Sequence, residues 1–387
     1  MTALITVWWI AAFVVFWAMI GYPLSLVILD RLMKRKNKRD DAYEPTVTVM
    51  VVAHNEEKVI YEKLQNLLST EYPEDKLEFL IASDFSTDDT DSIVEKFIAD
   101  HPDRNIRIHK SVNHFGKTNA QNETQELCNT EILVMTDANA MFEPDAVREL
   151  VSYFPSPEVA YVSGQLRYKN TEDNSTAGSE GFYWKLDLKC RDIESRIQTI
   201  TAGNGAIYAV RNKDYRVIPP IECHDSSFPV IYALEKKKAL YNPAAIAYEK
   251  AGEVNEDEFK RKVRMNRIIL RGILPDIRIL NIFVYRWFSY FYFGHRTCRY
   301  LLWLMHLVLL IVNIPLAVTG SLFWKAALGL QLLFWLVALL GWLSGSGNRL
   351  VRIVTYYGMT VMAQWKGVLN IITGKSRATW EKAESTR

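Results

Sequence analysis

The stretch that decides the fold is ILVMTDANA, residues 132–140. A short apolar run of this length predicts a buried strand, which here ends at Asp137 and is followed by Asn139. In open α/β sheets, ligands bind in the crevice at the carboxyl ends of the strands. Two oxygen-bearing side chains two residues apart at such an edge can share one hard cation. Asp and Asn are also ordinary turn residues, so the tetrapeptide alone leaves a capped turn open.

Upstream of this stretch, short apolar runs alternate with amphipathic segments. Strands that alternate with helices build parallel sheets, so the pattern predicts an α/β domain with a mostly parallel sheet and helices on both faces. The predicted strands are 47–53, 79–82, 106–109 and 132–136, and the predicted helices are 56–68, a segment around 93–98, and 117–127.

Polar side chains follow several of these predicted strands. The segment AHNEE (53–57) follows the first strand, Asp84 the second, and Asp137 and Asn139 the fourth, so one crevice can collect them. Lys117 opens the third helix, and a lysine beside a helix N-terminus suits an anionic group. No Walker A loop and no GxGxxG follows the first strand, which disfavours a glycine-rich phosphate cradle. A nucleotide diphosphate bound through a cation remains open.

Charge is segregated along the 387 residues, although the net charge is only +2, so no nucleic acid partner is expected. Residues 4–29 are almost uncharged and exceed the roughly 20 residues needed to cross a bilayer, which predicts an anchor over 1–30. Without a basic n-region or a cleavage site, a retained anchor is favoured over a signal peptide. The basic linker 31–44 then predicts, by the positive-inside rule, a cytoplasmic catalytic domain on the inner membrane of the cell.

The remaining boundaries follow from hydropathy and charge. Residues 45–255 form the predicted cytosolic domain, 256–300 amphipathic interface helices, and 374–387 a polar tail. Region 301–373 holds two predicted spans, 301–323 and 326–343, and a third segment, 351–373, that either spans or lies in the interface. The four scattered cysteines contain no CxxC pair, which fits a reducing cytosol and argues against a thiolate zinc site.

Several segments in register resemble the signatures of family 2 glycosyltransferases, which have the GT-A fold. The resemblance covers nearly the whole chain and is to membrane-embedded bacterial enzymes related to cellulose and hyaluronan synthases. The segments are AHNEE (53–57), SDFSTDDT (83–90), GKTNAQN (116–122), TDANA (136–140), GNGAIYAVR (203–211), HDSSFP (224–229), EFKRKVRM (258–265) and GKSRATWEK (374–382).

This resemblance implies a role for each matching position. The implied donor-binding residues are Ala53, His54, Glu56 and Asp84 for base and ribose, and Lys117, Asp137 and Arg264 for the diphosphate. The implied metal ligands for Mg²⁺ or Mn²⁺ are Asp137 and Asn139, the implied catalytic base is Asp225, and the implied acceptor region is Gly203, Asn204, Gly205 and His224.

The chemistry suits these residue types independently of the resemblance. Glycosyl transfer must stabilise a departing diphosphate, which a magnesium or manganese ion held by oxygen ligands does as a Lewis acid. The attacking hydroxyl needs one carboxylate base, which contributes typically 10²–10⁴-fold. A single displacement inverts the anomeric centre and needs no second nucleophilic carboxylate.

The chain departs from the family pattern at three places. The metal motif ends in the neutral Asn139, which makes the site one charge short. Where the family pattern has an acidic pair before the acceptor site, this chain has His224-Asp225. His224 either tunes Asp225, contacts the acceptor, or is an ordinary loop histidine. Met265 stands where processive synthases carry a Trp, which puts processivity in doubt.

Two segments before the C-terminal spans carry basic and aromatic side chains. On a helical wheel, 258–274 places four cations in one basic stripe, Lys260, Arg264, Arg267 and Arg271. This stripe favours a membrane-surface helix, a diphosphate clamp, or both. Residues 276–300, including His295, have the aromatic and basic composition of a membrane interface, and no catalytic role is predicted there.

The sequence thus predicts a membrane-anchored inverting glycosyltransferase of the hexosyltransferase type. It would move a sugar from a nucleotide sugar, a UDP-sugar by preference, to a lipid-linked or polysaccharide acceptor in surface polysaccharide synthesis. Partners in a polysaccharide-synthesis complex are compatible with this prediction. One alternative is a non-processive enzyme that glycosylates a diacylglycerol-type lipid; another is a catalytically silent subunit that binds nucleotide sugar.

Overall fold

The computed structural model describes residues 1–169, 175–250, 255–345 and 348–379. The strands are β1 Val47–Ala53, β2 Leu77–Ser83, β3 Ile106–Lys110, β4 Ile132–Asp137, β5 Met141–Phe142, β6 Val159–Tyr168, β7 Ile207–Arg211 and β8 Lys238–Glu249. They form one sheet in the order β3-β2-β1-β4-β7-β6-β8-β5. β3, β2, β1 and β4 run parallel, whereas β7 is antiparallel to both β4 and β6, and β5 is antiparallel to β8. The predicted α/β class is confirmed, with a mixed rather than parallel second half.

Helices cover both faces of this sheet, and long apolar helices lie near the two ends of the chain. They are α1 Thr2–Phe16, α2 Tyr22–Met33, α3 Ile60–Leu68, α4 Thr90–Asp100, α5 Lys117–Gln125, α6 Ala146–Val151, α7 Ser175–Ile197, α8 His224–Leu234, α9 Asn255–Met265, α10 Ile269–Ile273, α11 Ile282–Tyr285, α12 Trp287–Phe291, α13 Cys298–Tyr300, α14 Leu302–Thr319, α15 Leu322–Ser344 and α16 Arg349–Ile372. Single π-helical segments join α1 to α2 and α12 to α13.

Alternation along the strands divides the interior into two apolar cores. Val49 and Val51 of β1 pack in one core with side chains of α3, α4 and α6, while Met50 and Val52 pack in the other with side chains of β7 and α8. Because successive strand residues point to opposite faces, a β1 that is buried at all seven positions and apolar at six of them is what a strand covered on both sides requires.

Two predicted helices differ from the structure. Helix α3 begins at Ile60 rather than at residue 56, because the backbone N–H of Glu56 donates to Thr90 Oγ1 at 2.6 Å and holds this segment in a turn. The predicted continuous helix 258–274 is broken by a turn at 266–268 between α9 and α10. The basic stripe is therefore not continuous, and Arg267 instead donates to the carbonyl oxygens of Ile221 and Glu222.

Among the described residues, three helices are long and apolar enough to cross a membrane: Thr2–Met33, Leu302–Thr319 and Leu322–Ser344. They match the predicted spans 1–30, 301–323 and 326–343. The third predicted segment, 351–373, is the helix α16, which is not among these three, so its crossing stays a prediction. Residues 380–382 of the tail segment 374–382 lie outside the described residues.

Candidate active site

The loops after β1 and β2 are bonded to each other at the sheet edge. The N–H of Asp84 donates to the carbonyl of Ala53 at 2.8 Å. Asn55 adopts a left-handed conformation with φ 55° and accepts from the N–H of Thr87 at 2.6 Å. The four predicted base-binding positions, Ala53, His54, Glu56 and Asp84, lie in these two bonded loops.

Asp84 is fully buried beneath two stacked histidines. His114 Nδ1 lies 2.8 Å from Asp84 Oδ2, and the rings of His54 and His114 stack with centroids 3.9 Å apart. Burial raises the pKa of Asp84, while the nearby His114 opposes this shift. Sequence reasoning missed His114; its place just before the Gly116-Lys117 turn was the available signal.

Among the residues that the structure describes, the side chains of His54, Asp84 and His114 form a group that could hold a metal ion. Their ligand atoms lie within 4.8 Å of one another. The group lies after β1, β2 and β3, apart from Asp137 and Asn139 at the end of β4. Two regions of the edge therefore offer cation ligands.

Lys117 joins the metal motif to the predicted acceptor region. Its Nζ forms an ion pair with Asp137 Oδ1 and donates to the carbonyl of Gly205 at 2.9 Å. A Cβ added to Gly205 would lie 3.4 Å from Lys117 Nζ and 3.6 Å from Asp225 Oδ2. The structure thus brings the side chains of Lys117, Asp137 and Asp225 together around one glycine.

The backbone of Gly203 holds the first turn of α8. Its N–H donates to the carbonyl of Asp225 at 2.7 Å, and its own carbonyl accepts from Arg191 Nη1. A Cβ at Gly203 would lie 1.9 Å from the hydroxyl of Tyr161, so a larger residue cannot fit without movement. Asn204 Oδ1 accepts from the N–H of Ala206 at 3.0 Å, which shapes the same turn.

His224 is a buried structural histidine. Its ring nitrogens lie 2.8 Å from Gln121 Oε1 and 3.0 Å from the Tyr215 hydroxyl, and only 2% of the residue is exposed. Burial, assisted by Lys117, lowers the pKa of His224 to about 3. The predicted alternative in which His224 contacts the acceptor does not fit this placement, because both ring nitrogens are bonded inside the core.

Arg264 contributes positive charge to the same edge. Burial, together with Arg261 and Arg267, lowers its pKa, whereas Asp137 raises it. A bound anion stabilises the charged forms of cations that are clustered and partly removed from water. The C-terminal segment also returns here: a Cβ at Gly116, whose φ is +95°, would lie 2.8 Å from the carbonyl oxygen of Ala378.

Lys63 is a buried cation beneath the metal motif that sequence reasoning missed. Its Nζ donates to Thr136 Oγ1 at 3.2 Å and to the carbonyl of Ala140, so it holds both ends of the turn. Burial lowers the pKa of Lys63 to about 7, against an opposing contribution from Asp137. A charged residue on the core-facing side of an amphipathic helix was the signal.

A second polar cluster, the junction cluster, joins α2 to α7. It comprises Tyr22, Asp187, Arg191, Glu194 and His295. Tyr22 donates to Glu194 at 2.6 Å; His295 lies 2.6 Å from Glu194 and 2.8 Å from Asp187. Arg191 donates to Asp187 at 2.8 Å. His295 is fully buried within this cluster, and the membrane-interface position of 276–300 stays a prediction.

Comparison with known proteins accords with this geometry. Residues 48–216 match the family model described as Glycosyl transferase family 2. A beta-monoglucosyldiacylglycerol synthase of Synechocystis sp. is 32% identical over 196 residues, which cover 48% of this chain and 40% of that protein. A poly-beta-1,6-N-acetyl-D-glucosamine synthase of Staphylococcus epidermidis is 25% identical over 166 residues, which cover 43% of this chain and 37% of that protein.

The mannosyltransferase PcManGT from Pyrobaculum calidifontis, solved in complex with GDP-Man and Mn²⁺, has a similar fold. The TM-score is 0.72 at 22% identity, with 95% of this chain and 99% of that chain covered. At this identity the likeness shows the fold alone. Residues 48–216 are therefore similar to family 2 glycosyltransferases, and the chain has the GT-A fold, as its motifs predict. The matches span less than half the length of the curated relatives.

Proposed function

We propose that the protein is a membrane-anchored inverting glycosyltransferase that moves a sugar from a nucleotide sugar to a membrane-associated acceptor. The observation that carries this proposal is the meeting of Lys117, Asp137, Gly205 and Asp225 at one sheet edge. A cation, an oxygen ligand and a carboxylate lie there within reach of one substrate. A family 2 domain over residues 48–216 supports the same reaction class.

In this reaction, each of the site residues has a separate role. Ala53, His54, Glu56 and Asp84 hold the nucleoside, and Lys117 and Arg264 bind the diphosphate. The oxygens of Asp137 and Asn139 are hard ligands that suit Mg²⁺ or Mn²⁺, which supplies Lewis-acid stabilisation of the leaving group when bound. The Asp225 carboxylate takes the proton from the acceptor hydroxyl, while the N–H of Gly203 holds the Asp225 backbone in place.

The donor is a nucleoside diphosphate sugar, with a UDP-sugar as the proposed choice. The buried Asp84 carboxylate and the His54–His114 stack offer an acceptor and flat faces to a nucleobase. The mannosyltransferase PcManGT was solved with GDP-Man, so the donors tested must include both UDP-sugars and GDP-sugars.

A lipid acceptor that receives one sugar is favoured over a growing polymer. Met265 is 64% exposed where processive relatives of this pattern carry a Trp, so no aromatic platform lines that position. The Synechocystis relative is a glucosyldiacylglycerol synthase, which supports the same class of acceptor. The three apolar helices would hold the edge at a bilayer, and the basic linker 31–44 supports a cytoplasmic catalytic domain on the inner membrane.

Release of UDP or GDP by full-length protein in nanodiscs, with each nucleotide sugar and with diacylglycerol, tests the proposal. Asp225→Asn should lower turnover by about 10²–10⁴-fold, since it removes the base, while nucleotide affinity stays within about twofold. Glu235→Gln, at the far end of the same helix, is the matched control and should keep full activity. Equal turnover of Asp225→Asn and wild type would refute the assignment. Products that carry more than one added sugar would contradict the single-transfer lipid acceptor and support a growing polymer instead.

A further inference from the structure

Asn139 is held by a carboxylate that the metal motif does not contain. Its amide Nδ2 donates to Glu249 Oε1 at 2.5 Å, although the two residues are 110 positions apart. An amide placed the other way round would set its oxygen against the Glu249 carboxylate, so the hydrogen bond determines the amide orientation. The Oδ1 atom, which is the cation ligand of a carboxamide, then lies on the branch away from Glu249.

The backbone around Glu249 is fixed on both sides. Glu249 ends β8 and pairs in register with Tyr168 of β6, and its carbonyl accepts from the N–H of Lys169 at 3.0 Å. On the other side, Tyr248 opposes Met141 of β5, two residues after Asn139. Strand pairing therefore carries the carboxylate to the turn that follows β4, and the contact does not depend on a free loop.

We infer that Glu249 is a positioning residue of the cation site, which orients the Asn139 amide and supplies the negative charge that the motif lacks. This inference rests on the proposed function. A ligand amide whose N–H donates to a carboxylate has a more electron-rich oxygen, just as a carboxylate partner orients and strengthens a metal-bound histidine. The pair Asn139–Glu249 carries the same formal charge as the second Asp of an Asp-x-Asp motif.

The two direct ligands, in contrast, indicate that cation binding would depend on the nucleotide. Within the motif, one oxygen of Asp137 is paired with Lys117, and Asn139 contributes a neutral oxygen. Mg²⁺ bound to proteins uses few carboxylates and completes its coordination with substrate phosphates. We expect weak binding of Mn²⁺ alone and tight binding of Mn²⁺ with a nucleoside diphosphate.

The test is the Mn²⁺ affinity of full-length protein saturated with UDP or GDP, measured as free Mn²⁺ by electron paramagnetic resonance. Glu249→Gln should weaken Mn²⁺ binding by about 10–100-fold, the range found when partners of metal ligands are removed. Glu235→Gln, which alters a carboxylate just after α8 that pairs with Arg216, should leave the affinity unchanged. The melting temperature of each variant reports whether the fold survives, so a folding defect is visible separately.

A charge-swapped variant gives the second measurement. Asn139→Asp combined with Glu249→Gln exchanges donor and acceptor but keeps one amide, one carboxylate and the hydrogen bond, so it should recover Mn²⁺ affinity to within about threefold of wild type. Glu249→Gln with unchanged Mn²⁺ affinity, or a swapped variant as weak as Glu249→Gln, would overturn the inference.

The two proposals fail separately. A wild-type protein that binds no Mn²⁺ with nucleotide but transfers sugar at full rate in chelator would overturn the role of Glu249 and leave the proposed function standing. A protein that binds Mn²⁺ with nucleotide as described, yet releases no nucleotide from any sugar donor, would contradict the function alone.

Discussion

The strand-end edge around Asp137 and the junction cluster around Glu194 contain similar side chains in opposite surroundings. The paired side chains of Lys117 and Asp137 are 23% and 32% exposed. In the junction cluster, Glu194 and His295 are fully buried and bonded to each other. The edge thus keeps charge accessible to a ligand, whereas the junction uses its charges on itself.

Because of this difference in burial, substitutions in the two regions should change the free energy of unfolding by different amounts. Removing one member of a buried, bonded charge cluster leaves the other members without compensation, which is strongly destabilising. Removing one member of a partly exposed pair costs little stability. The edge should therefore be sensitive in activity, and the junction sensitive in stability.

The largest effect should come from His295→Ala. Asp187 and Glu194 would each lose a bonded partner inside the protein, for an expected loss of about 3–5 kcal/mol in the free energy of unfolding. The pKa of Asp187 points the same way: burial would raise it, but Arg191 and His295 hold it well below its usual value. Thermal unfolding in detergent measures the loss. Arg216→Ala, which breaks a partly exposed pair with Glu235, is the control, with an expected loss within about 1 kcal/mol. Equal melting temperatures for both variants would show that the junction cluster is no more important for stability than a partly exposed ion pair.

The next effect is on activity at the edge. Asp137→Ala should lower kcat/KM by about 10²–10³-fold, because one electrostatic contact to the leaving group is lost, while the melting temperature stays near that of wild type. Nucleotide release assays measure the first quantity and thermal unfolding the second. Glu95→Ala, an exposed carboxylate paired with Lys110, should change neither. A drop in stability as large as that of His295→Ala would show that the edge is structural as well.

The smallest effect concerns Lys63, which belongs to the edge but is buried like the junction. Its pKa falls from 10.5 to about 7 in the folded protein, so the unfolded chain binds more protons between these values. Stability relative to Lys63→Met is therefore lowest below pH 7 and rises with pH, by about 1 kcal/mol between pH 7 and pH 8. Melting temperatures of both proteins across this range provide the check. Parallel curves would mean that Lys63 keeps an ordinary pKa.

Local pattern was enough to predict the parallel half of the sheet. The runs that became β1, β2 and β4 are mostly apolar, buried along nearly their whole length and followed by polar residues, so their positions follow from periodicity, whereas β3 alternates apolar with polar residues. The antiparallel return of β7 beside β4 was not predictable in this way, because pairing direction depends on contacts between distant segments. The break at 266–268 likewise reflects tertiary hydrogen bonds of Arg267 rather than helix propensity.

The candidate site divides along the same line. Asp137, Lys117 and Asp225 stand in short segments whose residue types suit the chemistry, so the sequence by itself was enough to predict the reaction class, the donor class and the base. The partners Glu249, His114 and His295 lie in segments without any such pattern. Only the tertiary structure decided that they reach Asn139, Asp84 and Glu194, because hydrogen bonds and burial link residues that strand pairing and helix packing bring together from distant parts of the chain.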